Sequence, residues 1–202
     1  MSLANVLTLS RIPLAAAVVW AWLQDLPGIT LACMAAILIT DLLDGRVARA
    51  TGRASDRGAL LDSGVDWVVI YGLYASLLFV GSNALALLNP MLVIPALLVT
   101  LIGGVLILVR HVRLWRTTTS AARAKTRWGK PLGAVQYGWL FTFFVYTEML
   151  RGGFGWPSQD ATPLWYWTAH LLSWGVGLLA VLALLHGWEN LKALAAPREA
   201  KS

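Results

Sequence analysis

The chain has 202 residues, of which 58% are hydrophobic and only 13% charged, against about 25% charged in an average soluble protein. That balance excludes an ordinary water-soluble domain and points to a single helical bundle, residues 1–202, in a membrane. The net charge of +6 raises nucleic acid as a partner, but the basic residues lie in short loops between apolar runs, a membrane pattern that needs no nucleic acid.

The first predicted helix is Leu3–Leu23. Its apolar part, Ile12–Leu23, is too short to span alone, since roughly 20 residues are needed. Its polar start therefore lies near one membrane surface. At about 100° per residue, Asn5, Thr8 and Arg11 share an arc of about 120°. Two readings follow: a polar face turned to the bundle, or an interfacial anchor with a snorkelling arginine. No Lys or Arg precedes Arg11, so the start does not read as a cleaved signal peptide. A short turn with Pro27 leads to a second helix from Gly28, which should continue past Asp41 to about Ala50. Cys33, the single cysteine, reads as a packing residue. Residues 51–57 form a polar turn, and the third helix runs from Gly58 to about Val80. Pro90–Val109 carries no charge and is the clearest span. His111–Lys130 is basic and reads as a short surface helix or a loop extension. The fifth span is Pro131 to about Tyr146, because Pro131 disfavours helix at Lys130. The sixth is Leu164 to about Trp188. The expected fold is an all-α integral membrane bundle of six transmembrane helices.

Basic residues set the orientation. The start, the second–third connection, the fourth–fifth connection and the tail hold 15 of the 16 Lys and Arg, leaving Arg151 alone on the other side. The positive-inside rule then puts both termini in the cytoplasm, in an inner membrane if the source is bacterial. Trp165, Tyr166, Trp167 and Trp188 read as interfacial anchors.

The chemistry concentrates between Asp41 and Asp66, where five of the ten acidic residues fall. Asp41 and Asp44 are three apart and Asp62 and Asp66 four apart, so each pair shares a helix face. Two antiparallel helices would bring four carboxylates together. Gly45 and Ala48 remove bulk beside them, and Arg49 adds a cation. Such acids repel one another unless something positive holds them. A salt-bridge network with Arg46, Arg49, Arg53 and Arg57 is one solution. The other is hard divalent cations, Mg²⁺ or Mn²⁺, which take oxygen ligands and leave positions for phosphate. Ionisable groups at membrane depth are a functional-site signal in their own right. They also fit a divalent-cation transporter, while a scaffold would gain nothing from them.

Asp41-x2-Asp44-Gly45-x2-Ala48-Arg49-x8-Gly58-x3-Asp62-x3-Asp66 resembles the signature of the CDP-alcohol phosphatidyltransferase family. Asn5–Arg11 is similar to the segment that usually precedes it. The resemblance implies transfer of a substituted phosphate, commonly from CDP-diacylglycerol, to an alcohol hydroxyl with release of CMP. It implies that Asp41, Asp44, Asp62 and Asp66 hold two divalent metals and that Asp66 is the catalytic base. It assigns Gly45 and Arg49, with Asn5, Thr8 and Ser55, to the CDP moiety, and it implies a homodimer. Asp56 lies outside the signature and reads as a turn residue.

For the acceptor, glycerol 3-phosphate is the first expectation. The region from Arg110 to Gln136, with Gly129-Lys130, is similar to that of phosphatidylglycerophosphate synthases. Arg110, Lys125 and Lys130 are the candidate contacts to its phosphate. The segment LDSGVDW departs from that subfamily at Ser63 and Trp67, which keeps inositol phosphate or another polar alcohol open.

Overall fold

Apolar runs that must satisfy their own backbone hydrogen bonds in a lipid environment become helices, and the chain follows that rule. In the computed structural model the described residues are 3–50, 56–79, 88, 90–116, 127–151 and 163–195. Among them the elements are α1 (Leu3–Leu23), α2 (Pro27–Ala50), α3 (Asp56–Phe79), α4 (Pro90–Arg116), α5 (Gly129–Leu150) and α6 (Pro163–Ala195). No strand occurs among the described residues.

The α1–α2 connection is tight. The Leu26 N–H donates to Ala21 O at 2.9 Å and the Asp25 N–H to Trp22 O at 3.3 Å, the pairing that closes a helix through a left-handed residue. Asp25 takes that conformation, with φ 53°, which a short polar side chain tolerates better than most. Pro27 then opens α2, a position where its missing N–H costs nothing. So short a turn folds α2 back along α1, and the two helices pack together.

α3 is the middle of the bundle, with α1, α4 and α5 against it. α6 packs on α4 and α5, and α5 also touches α2. The α4–α6 seam is close because Gly103 faces Ala183 and Gly187 faces Leu106, small residues that let backbones approach. An aromatic ladder ties three helices together. It runs Trp67, Tyr71, Tyr74 on α3, then Trp139, Phe143, Phe144 on α5, and ends on Trp22 of α1, with successive ring centroids 5.2–6.4 Å apart. Beyond it, Arg151 lies 3.0 Å from Asp25 and 3.8 Å from the buried Glu148, donates to Trp22 O at 2.8 Å, and sits over the Trp22 ring. This pins the α1–α2 turn to the end of α5.

The outer surface is apolar. Trp20, Phe79, Met91, Ile102, Leu171 and Trp174 are all exposed, as lipid-facing residues are. Four helices hold segments long and apolar enough to cross a bilayer: Leu3–Leu23, Pro27–Asp44, Met91–Arg110 and Trp167–Lys192. Together with the family reported below, this makes the chain an integral membrane protein. α3 and α5 are less apolar, since charged residues open α3 and Gln136, Tyr137 and Glu148 dilute α5. Both sit inside the bundle, where a helix needs less lipid-compatible surface. Several boundaries differ from expectation. α4 continues to Arg116, so part of the basic segment is helix. α5 begins at Gly129, with Pro131 in its first turn, where proline is tolerated. Asp56 opens α3 rather than preceding it.

Gly104 is where α3 and α4 meet most closely. Its carbonyl accepts the Trp67 indole N–H at 2.6 Å, and a Cβ there would lie 2.4–2.6 Å from the Tyr71 ring. Tyr71 is buried and its hydroxyl accepts from Gln136 at 3.2 Å, so the ring cannot simply swing away. Gly104→Ala is expected to cost about 2 kcal/mol through overpacking, read as a lower thermal unfolding midpoint in detergent. An unchanged midpoint would show that the α3–α4 seam has slack.

Candidate active site

The site begins on α1. Ala4, Thr8, Arg11, Val18, Ala21 and Trp22 are the buried residues of this helix, a single face at helical spacing. Arg11 is therefore not a snorkelling anchor: its side chain is 0% exposed. Its guanidinium enters the gap between α2 and α3 and meets four carboxylates. Nη1 donates to Asp41 Oδ1 at 2.7 Å, and Nη2 to Asp44 Oδ2 at 2.7 Å. Nη1 also pairs with Asp66 Oδ1 and Nη2 with Asp62 Oδ1. The two pairs of acids thus come from two helices, and the one guanidinium joins them.

Surrounding groups fix the acids further. Thr8 Oγ1 lies 2.9 Å from Asp44 Oδ2 and 3.0 Å from Ala4 O, sharing its one proton between them. The Tyr137 hydroxyl, from α5, donates to Asp66 Oδ1 at 2.8 Å. Asp44 is buried, whereas the side chains of Asp41, Asp62 and Asp66 keep 28–39% of their exposure. Ligand oxygens of those three lie within 4.8 Å of one another. This is an all-oxygen donor set drawn from two helices, the kind that hard divalent cations prefer. Charge agrees with it. Among the described residues Arg11 is the cation in contact with these acids, one guanidinium facing four carboxylates. Carboxylates crowded in that way favour a further cation.

A partly open apolar groove of about 230 Å³ lies between α1 and α3. Ile12, Ala15, Ala16 and Val19 of α1 form one wall and Val68, Val69, Gly72 and Leu73 of α3 the other. It starts one residue from Arg11 and two from Asp66.

Residues 1–179 match the family described as CDP-alcohol phosphatidyltransferase. The chain belongs to that family. Among curated relatives, the archaetidylinositol phosphate synthase of Aeropyrum pernix is 38% identical over 96 residues, 46% of this chain and 50% of that protein. The match thus spans about half of the relative's length. No solved structure matches the chain. The family is an enzyme class, the CDP-alcohol phosphatidyltransferases. The cation-transporter reading gains nothing from it.

The other residues singled out from the sequence fall as follows. Asn5 is half-buried on α1, one turn before Thr8, and is engaged in an interaction of its own. Gly45 and Arg49 lie on α2, but the Arg49 side chain, like Ser55 and Lys125, is outside the described residues. Arg110 Nη1 donates to Asn190 Oδ1 on α6 at 2.7 Å, so an acceptor phosphate would have to share or replace that bond. Lys130 is exposed in the first turn of α5. Of the arginines expected to neutralise the acids, Arg46 is exposed, while the side chains of Arg49, Arg53 and Arg57 lie outside the described residues; among the described residues the cation at the acids is Arg11 of α1, 30 residues before Asp41. Tyr137 was not singled out from the sequence at all. It is one aromatic in an aromatic-rich run, and its role depends on how α5 packs on α3.

Tyr137→Phe removes a single hydrogen bond to the carboxylate expected to act as base. Such a bond to a charged group is worth about 1.5–3 kcal/mol, so CMP release should fall about tenfold or more while circular dichroism stays unchanged. Full turnover in a folded variant would remove Tyr137 from the site's function.

Proposed function

We propose that this protein transfers a lipid-bearing phosphate from a CDP-linked lipid, CDP-diacylglycerol being the first to try, to a hydroxyl of a phosphorylated small polyol, releasing CMP. The observation that carries this reading is the meeting of Asp41, Asp62 and Asp66 oxygens within 4.8 Å, in a family whose donors are CDP-alcohols. Asp41, Asp44, Asp62 and Asp66 would hold two divalent cations, Mg²⁺ or Mn²⁺, which when bound neutralise the diphosphate and the departing CMP.

The chain's own residues supply the rest. Asp66 is aimed by Tyr137 and Arg11 and takes the proton of the acceptor hydroxyl. The acceptor oxygen then bonds to the phosphorus that carries the lipid, and the bond from that phosphorus to the CMP oxygen breaks. The products are the new phosphodiester and CMP, and the proton leaves Asp66 to water. Arg49 and Gly45, with Asn5 and Ser55, are the expected contacts to the CDP moiety. Thr8 donates to Asp44 and so acts on the donor through that carboxylate. The apolar groove between α1 and α3 suits a lipid chain whose headgroup sits at the acids.

For the acceptor, inositol phosphate now stands ahead of glycerol 3-phosphate. The relative's name supports it. In addition Gln136, part of the glycerol 3-phosphate resemblance, is buried and donates to Tyr71, so it serves packing. Lys125, Lys130 and Arg110 stay the candidate contacts to the acceptor phosphate. The same reading keeps six spans, both termini and the acidic end in the cytoplasm, a bacterial inner membrane and a homodimer. The placement of 15 of the 16 basic residues supports the orientation.

CMP release from CDP-diacylglycerol by purified protein, with Mg²⁺ or Mn²⁺, tests this directly when inositol 1-phosphate, glycerol 3-phosphate, inositol and serine are offered separately. Release with inositol 1-phosphate alone is expected, and release with glycerol 3-phosphate alone would reverse the order of acceptors. Asp66→Asn should fold normally and lose turnover by about a hundredfold or more, the scale of a general base. Full metal-dependent turnover by Asp66→Asn would overturn the assignment of the base.

A further inference from the structure

A guanidinium buried at the centre of four carboxylates is usually read as a permanent structural bridge. Three observations argue for another role. First, Arg11 contacts all three of the carboxylates whose oxygens cluster within 4.8 Å, so a divalent cation bound there draws on the same carboxylates. Second, among the described residues one guanidinium faces four acids, and Arg11 Nε is buried with no acceptor among them. A buried donor without a partner weakens the hold of the bridge. Third, Arg11 itself is sealed from solvent, yet Asp41, Asp62 and Asp66 remain reachable from it. An ion from water meets the carboxylates before it meets the arginine.

We propose that Arg11 is a displaceable internal counter-ion of the metal centre: it gathers the carboxylates from α2 and α3 and competes with divalent cations for their oxygens. The proposal rests on the metal reading given above. It gives Arg11 two effects of opposite sign. The residue stabilises the bundle when no divalent cation is supplied, because four acids would otherwise repel across the α2–α3 gap. It also lowers metal affinity, because binding must first break charge-assisted hydrogen bonds. A permanent bridge would have only the first effect. A phosphate-binding arginine would have neither.

The test measures Mn²⁺ binding to the full-length protein in detergent, by the loss of the free-ion electron paramagnetic resonance signal, with no donor or acceptor lipid present. Wild type, Arg11→Gln, Arg11→Lys and Asp62→Asn are compared. Arg11→Gln should bind Mn²⁺ about tenfold or more tightly than wild type, with Arg11→Lys between them. In EDTA its unfolding midpoint should fall below that of wild type, and saturating Mn²⁺ should close the gap. Equal or weaker Mn²⁺ binding by folded Arg11→Gln, with binding abolished in Asp62→Asn, would overturn the exchange and leave the metal reading standing. No Mn²⁺ binding by any of the proteins, wild type included, would overturn the metal reading itself. If Arg11→Gln cannot be purified folded, wild type alone decides. Phenylglyoxal labelling of Arg11, mapped by mass spectrometry, should be slow in EDTA and faster with Mn²⁺; equal labelling in both would overturn the exchange.

Discussion

One contact organises this molecule: the guanidinium of Arg11 among Asp41, Asp44, Asp62 and Asp66. Four carboxylates at the edge of a low-dielectric bundle are costly unless a cation is held among them. α1 brings that cation in, and the price is met by the shape of the whole N-terminal half. The tight turn at Asp25 folds α2 along α1, and α3 packs on α1 as well. Thr8, one turn before Arg11, holds Asp44, and Tyr137 reaches across from α5 to hold Asp66. α2 and α3 carry the acids, α1 supplies the cation among them, and α5 completes the cluster through Tyr137.

The far half of the bundle serves rigidity. The ring ladder from Trp67 to Trp22 starts one residue beyond Asp66 and ends where Arg151 clamps the α1–α2 turn. Interlocked rings of this kind resist small displacements, and a site that must place several oxygens within a few ångströms of one another depends on such support. Gly104 shows how closely the design is drawn, since the Trp67 indole and the Tyr71 ring both press on it.

Much of the site was legible in the sequence, for a physical reason. Paired acids at helical spacing beside apolar runs carry a desolvation cost that only function repays, so Asp41, Asp44, Asp62 and Asp66 stood out and the structure brings them together. The helices were legible for the same reason, since apolar runs in lipid have few alternatives. What was not legible lies in tertiary packing. Arg11 fitted two readings equally, because an arginine near a helix start can point either to water or inward. Its burial is decided by four acids distant in sequence. Tyr137 has no local signal, since a tyrosine in an aromatic run is ordinarily an anchor or packing. The unbroken run of α4 to Arg116 was not legible, because the charges after Val109 fitted a separate surface helix or a loop equally, although a helix can leave the bilayer intact. The early start of α5 was hidden by Pro131, which breaks helices in their interior but not in their first turn.

The central claim is that these carboxylates form a divalent-cation site and that Arg11 yields to the ion there. Anomalous diffraction at the manganese edge, from crystals of the protein grown with Mn²⁺, tests it most directly. The account predicts anomalous peaks between the carboxylates of Asp41, Asp62 and Asp66, with the Arg11 guanidinium withdrawn from at least some of them. Manganese bound only elsewhere, or Arg11 still bridging all four acids at saturating Mn²⁺, would contradict it.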